Sequence, residues 1–338
     1  MNATMTRRSS VTAGIAIAVF LPLLMADYYR SLAALAVIAG IMILSLNLLT
    51  GFVGQISFCQ FTFALLAADT VGSLSGSPTH HWSFWITLPL GVLFAAIGGL
   101  LVGIPALRLS GLFLAILTVG VALFGDRYLF ANGTWNSFSG GINPWTPQRP
   151  TLFGYHLTGQ YQFYLFSLVI FLIVALFVWN LRIGKTGRVL RAIRESEVAA
   201  STMGLNLTRW KLAAFAVSAG IAGLAGGLLA VQIGSVSPAS YDFLHSIQIA
   251  AIAVVAGVGS IASAAIGGIF LWWFPELLRH IGSNGINAQY FPLILGLLLV
   301  VQLVFAPQGG VVKLQHDLKK VLRLGGRRAQ EPELVEVL

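Results

Sequence analysis

The chain has 338 residues, 57% hydrophobic and only 9% charged, with a formal net charge of +9. A mean hydropathy of +0.85 excludes an ordinary water-soluble domain, which is about a quarter charged. Apolar blocks long enough for about 20 residues of helix, without two-residue alternation, predict an all-α polytopic transmembrane bundle rather than a barrel.

Ten spans are expected, near 11–26, 31–50, 55–73, 83–105, 111–130, 161–181, 211–231, 244–259, 261–280 and 289–307. The first follows Arg7 and Arg8 and resembles a signal peptide only superficially. No convincing cleavage site precedes Asp27, so it reads as a retained span.

Gly51, Gly54, Gln55 and Ser57 lie where the second span gives way to the third. Glycines there can break the helix and let backbone groups, Gln55 or Ser57 meet a polar solute. A tight turn with Gln55 bonded to a neighbouring helix is the plainer alternative. Phe58, Gln60, Phe61 and Phe63 follow. At helical spacing Phe58 and Phe61 nearly share a face, whereas Phe63 points away. Phe58 or Phe61 is therefore expected beside a passage. Cys59 is the sole cysteine, which excludes an intramolecular disulfide or a zinc cluster. Thr118 and Gln232 are weaker lining candidates, as is Gln60, since single polar groups in apolar spans often only bridge helices.

Asp69, Asp126 and Glu276 are the acids nearest the hydrocarbon. Each is expected to reach a surface: Asp69 near the end of its span, Asp126 beside Arg127, Glu276 one turn before Arg279. Proton coupling through a buried carboxylate is not expected. No His, Asp and Glu cluster has metal-ligand spacing, and no nucleophile has an adjacent base.

Segment 131–160 is rich in turn formers and carries Trp135 and Trp145, which predicts a lid or a short interfacial helix. Between 182 and 211 stand seven of the twenty basic residues: Arg182, Lys185, Arg188, Arg191, Arg194, Arg209 and Lys211. Apolar spans flank this island, so it lies at a membrane surface. Gly220, Gly223, Gly226 and Gly227 predict close helix packing. Region 244–280 is either a hairpin of two short helices or one span plus a broken helix. The turn Gly257-Val258-Gly259-Ser260 favours the hairpin. After Pro307 the character changes, and 311–338 reads as a tail, basic and then acidic.

Charge orients the chain. With a cytoplasmic N-terminus, ten crossings put Arg7, Arg8, Arg108, the island and the tail's six basic residues inside. Arg30, Arg127, Arg149 and Arg279 remain outside. That bias places both termini and 182–210 in the cytoplasm and 131–160 outside. Basic residues that border spans in this way need no nucleic-acid partner.

Three segments together resemble a known family. They are Asn47-Leu-Leu-Thr-Gly51-Phe-Val-Gly54-Gln55-Ile-Ser57-Phe58, the block from Gly103 through Pro105, Arg108 and Thr118 to Gly120, and Gly187-Arg188 through Arg191, Arg194, Glu195 and Glu197 to Gly204. Phe305-Ala-Pro307-Gln308-Gly309 adds a fitting end. They are similar to the permeases of high-affinity branched-chain amino acid ABC importers of the LivM type, over about 35–310. The resemblance implies an ABC importer permease fold over 1–310, with 182–210 as a cytoplasmic coupling loop. It also implies a homologous second permease, two ATPase subunits holding ATP and Mg, and an extracytoplasmic solute-binding protein. No phosphate-binding loop occurs in this chain, so no ATP hydrolysis and no cofactor of its own are expected.

On the same resemblance Arg191, Arg194, Glu195, Glu197, Ala199, Ala200 and Gly204 form the coupling site. Ala199 and Ala200 would let a short helix approach a partner groove, Gly204 would end it, and Arg194 and Glu197 would supply rim charges. A surface helix with Arg188, Arg191 and Arg194 on lipid phosphates is the alternative. Gly51, Gly54, Gln55, Ser57, Phe58, Gln60, Phe61 and Thr118 are the expected lining of the passage. Family members usually carry a compact Leu-Gly-His stretch where this chain has Phe58, Cys59, Gln60 and Phe61, which leaves the cargo open among amino acids, urea, amides and aromatic acids. An ATPase-independent carrier or channel is the competing class.

Overall fold

Long apolar runs in a chain this poor in charge fold as helices that satisfy their own backbones, and the arrangement follows from where glycine and polar residues interrupt them. The computed structural model describes residue 16 and residues 18–76, 81–129, 146–152, 155–280 and 290–305. Its helices are α1 (Asp27–Leu46), α2 (Gln60–Ser75), α3 (Phe84–Ala106), α4 (Gly111–Phe124) and α5 (Gln160–Ile183). Then come α6 (Lys185–Glu195), α7 (Glu197–Thr202), α8 (Leu207–Ile233), α9 (Phe243–Ala256), α10 (Ile261–His280) and α11 (Phe291–Phe305). Thr151–Leu152 pairs antiparallel with Tyr155–His156 in a minimal hairpin.

Among the described residues, 6 helices are long and apolar enough to cross a membrane. They are Asp27–Val53, Phe84–Ala106, Gly111–Tyr128, Gln160–Ile183, Leu207–Ile233 and Ile261–His280, matching six of the ten expected spans. The other expectations meet shorter elements. Spans 55–73, 244–259 and 289–307 correspond to helices of 16, 14 and 15 residues. At 1.5 Å per residue these are roughly 21–24 Å long, less than the hydrocarbon thickness. The first expected span and the 311–338 tail lie largely or wholly outside the described residues, as does most of 131–160. The hairpin in 244–280 is present: α9 and α10 pack together and are joined through Gly257 and Gly259, both at positive φ.

Helix α8 is the axis of the bundle, packed against α1, α2 and α3. Gly226 is why α2 and α8 can touch: a Cβ there would strike the Ala64 carbonyl, and one on Gly223 would meet the Ala95 methyl at 2.5 Å. Gly220 differs, for its Cβ would find nothing nearer than Val92 Cγ1 at 3.6 Å. Nearly all of α2 is buried, from Gln60 to Ser75, so its polar residues face protein rather than lipid. Asp69 shares that burial at 2% exposure. The expectation that it reaches a surface is corrected, because α2 is enclosed along its whole length. Asp126 and Glu276 do have their neighbours, Arg127 at 3.9 Å and Arg279 at 3.3 Å.

Candidate functional site

Two features concentrate the polar chemistry: a broken helix and the basic island beside it. Helix α1 widens into a π-helical run, Asn47–Val53, and stops at Gly54 with φ +78°. A left-handed residue costs a side-chain-bearing L-amino acid about 1–2 kcal/mol, so glycine marks the stop. The chain then runs without helix through Gln55, Ile56, Ser57, Phe58 and Cys59, and α2 opens at Gln60.

That restart lies inside the bundle. Ser45 Oγ donates to Gln60 Oε1 at 2.8 Å, and Gln60 Nε2 donates to Ser218 Oγ at 3.2 Å. Ser218 Oγ donates in turn to the Ser45 carbonyl. Ser218 is roughly 16 Å along α8 from Leu207 at 1.5 Å per residue, so segment 54–59 climbs through protein before α2 begins. The opening turn of α2 also meets that of α9, since the Phe61 amide donates to Ser246 Oγ at 3.1 Å. Irregular backbone at such depth is tolerated where protein or a cavity surrounds it.

The structure brings the expected lining residues to this break in different ways. Gln55 is 7% exposed, and its Oε1 has no hydrogen-bond partner among the described residues. Ser57 is buried with Oγ 3.3 Å from Cys59 Sγ. Thr118 on α4 accepts the Phe58 amide at 3.1 Å. Gln60 is held between Ser45 and Ser218, and Gln232 between Ser31 and Gln160. Both therefore bridge helices. Phe58 precedes α2, which corrects the expectation that it shares a helical face with Phe61. Phe61 packs on His245 with ring centroids 5.5 Å apart. It also lines a cavity of about 270 Å³ together with Tyr28, Met42, His245 and Glu276. Phe63 faces protein, 2% exposed.

The island forms α6 and α7. Helix α6 buries Gly187, Leu190 and Ile193, and turns Arg188, Arg191 and Glu195 outward. Ser196 caps α7, its Oγ accepting from the Ala199 amide at 3.2 Å, and Gly204 closes the segment at φ +79°. Three of the expected coupling residues also meet their own chain. Ala200 is 1% exposed and packs against its own chain, so Ala199 alone of the pair is open to a partner. Glu197 turns to Lys211, Oε2 to Nζ 2.7 Å, because a lysine side chain only 4% exposed requires a counter-charge. Arg194, exposed like its neighbours, lays its side chain against the helix break and donates from Nη1 to the Gly51 carbonyl. The outward knobs are residues that sequence reading passed over: Val198 at 75% and Met203 at 76% exposure. An apolar side chain on a charged island was the signal that could have marked them.

Residues 28–303 match the family described as the branched-chain amino acid transport system / permease component. The high-affinity branched-chain amino acid transport system permease protein LivM of Salmonella typhimurium is 32% identical, across 94% of this chain and 78% of its own. LivM of Escherichia coli is likewise 32% identical, across 98% and 80%. LivH of Escherichia coli, a second permease of that kind of system, is 30% identical over 42% of this chain and 44% of its own. No solved structure matches. With nearly all of its spans inside the match, this chain belongs to the branched-chain amino acid transport system permease family.

Proposed function

We propose that this permease subunit of an ATP-driven importer carries a branched-chain amino acid or a closely related small solute. The cargo follows the names of the LivM relatives. A fructose import permease of Rhizobium meliloti is 31% identical over 39% of this chain, so membership of the wider group does not fix the cargo. The observation that carries the transport reading is the pairing of a glycine-broken helix with an adjacent basic island that presents Val198 and Met203. Of the two cytoplasmic ATPase subunits holding ATP and Mg, one docks there, through α7 with Arg191 and Glu195 at the edge, and the other docks on the second permease. A LivH-like second permease completes the passage, and an extracytoplasmic binding protein delivers the solute. Ten crossings place both termini and 182–210 in the cytoplasm and 131–160 outside. The relatives are permease proteins of transport systems, which favours this reading over a self-sufficient carrier.

Uptake of leucine, valine, urea and fructose by the reconstituted importer tests the cargo. ATP-dependent uptake of leucine or valine is expected, and transport of fructose or urea alone would overturn it. Arg188→Cys in a Cys59→Ser chain should label only from the cytoplasmic face. Labelling from the outer face alone would reverse the topology.

Gln55 and Phe61 form the wall of the passage, supported by the buried open acceptor of the first and the cavity beside the second. Gln55→Ala and Phe61→Ala should shift the profile of initial uptake over a series of solute sizes, normalised to folded complex. Removing a core ring costs about 3–5 kcal/mol, so the yield of Phe61→Ala falls as well. An unchanged profile in both removes the segment from the passage.

A further inference from the structure

The contact of Arg194 with Gly51 joins two parts of the molecule that sequence keeps apart. The last carbonyls of a helix have no donor within it, and the end of α1 at Gly51–Val53 is such a terminus. The Gly54 and Gln55 amides donate to the Leu49 carbonyl, whereas the Gly51 carbonyl is met from another element. Arg194, in the last turn of α6, donates to the Gly51 carbonyl, and its cation also complements the negative end of the helix dipole. The arginine stem lies along Gly54, where a Cβ would meet Arg194 Cγ at 2.8 Å. The opposite side of the same terminus rests on the α9–α10 turn. There a Cβ on Gly51 would meet Gly259 Cα at 2.8 Å, and Asn47 Nδ2 donates to the Ser260 carbonyl at 3.1 Å. The break is thus held between a turn of the bundle and one side chain of the island. Within the island, α7 is tied to the first turn of α8 by Glu197 and Lys211. Movement of α6 away from the break would withdraw the Arg194 donor from the Gly51 carbonyl, while Thr118 keeps its hold on the Phe58 amide.

We infer that Arg194 is a positioning residue that carries movement of the island to the helix break, as a removable cap on α1. The inference rests on the reading of α7 as the ATPase docking helix, and it assigns Arg194 to the passage side of that device rather than to the docking rim.

The test uses the complete reconstituted importer in a Cys59→Ser background with Ile56→Cys as reporter, since Ile56 is 44% exposed within the break. Maleimide labelling is timed without nucleotide and with vanadate-trapped ATP. In the otherwise unmodified chain, trapping is expected to change the labelling rate. Arg194→Ala should keep the ATPase subunits and their hydrolysis but lose that change, and Arg194→Lys, which retains a cation, should restore part of it. Gly54→Ala should perturb labelling less when combined with Arg194→Ala than alone, because the clashing stem is gone. A full change in Arg194→Ala, or none in the unmodified chain, overturns the proposal. Loss of the ATPase from Arg194→Ala returns the residue to the docking rim and overturns it too. Failure of the unmodified chain to hold any ATPase would instead sink the function proposed above.

Discussion

Gly226→Val is expected to leave no monodisperse, folded permease. The valine side chain would have to occupy the place of the Ala64 backbone, and neither of the two helices can yield separately. Helix α8 is fixed by α1 and α3 as well, while α2 is pinned at its start by Ser45 and Ser218. Forcing extra methyl groups into a packed interior costs about 1–3 kcal/mol where side chains can give way, and here backbone would have to move. Gly220→Ala is the control on the same helix. Its added methyl meets only ordinary contacts, and replacing a mid-helix glycine by alanine favours the helix by about 1 kcal/mol. Thermal unfolding in detergent, followed by size exclusion, should show collapse for Gly226→Val and an unchanged or raised midpoint for Gly220→Ala. Equal behaviour of the two would show that the glycine contact does not hold α2 to α8.

The second large effect concerns assembly. Val198→Asp combined with Met203→Asp should strip this chain's ATPase subunit from the complex while the permease stays folded, because both side chains project from the surface. Burying a valine or a methionine contributes about 1.5–3 kcal/mol each. Losing both, at 1.4 kcal/mol per tenfold, weakens docking by more than about a hundredfold. Co-purification and ATP hydrolysis of the reconstituted importer report the result. Wild-type stoichiometry in the double variant would mean that the partner sits elsewhere on the island.

Much of this was legible from the chain. Hydropathy located six helices within a few residues, since a helix long enough to cross hydrocarbon must be continuously apolar. Gly54 announced the break because a left-handed stop favours glycine, and the basic island stood out against apolar flanks. The start of α2 was hidden: Ile56, Phe58 and Cys59 are as apolar as a helix, and what fixes their non-helical path is a set of contacts between distant segments, Ser45–Gln60–Ser218 and Phe58–Thr118. The island was found, but the directions of its side chains were not. Spacing reveals a basic stripe, whereas the direction in which a long stem lies down depends on neighbours such as Gly54 and Glu197. Asp69 was misplaced for a related reason, because enclosure of α2 is a property of its neighbours.

The enclosure of α2 also bears on how the chain is made. A segment carrying Gln60 and Asp69 is not among those apolar enough to cross alone, so it gains little by leaving the translocation channel for lipid. Its principal partner α8, Leu207–Ile233, is synthesised much later. The nascent protein must shelter α2 against α1, α3 or the insertion machinery until that helix emerges. Truncation before residue 207 therefore leaves α2 without the helix it packs against most, one that arrives past the middle of translation.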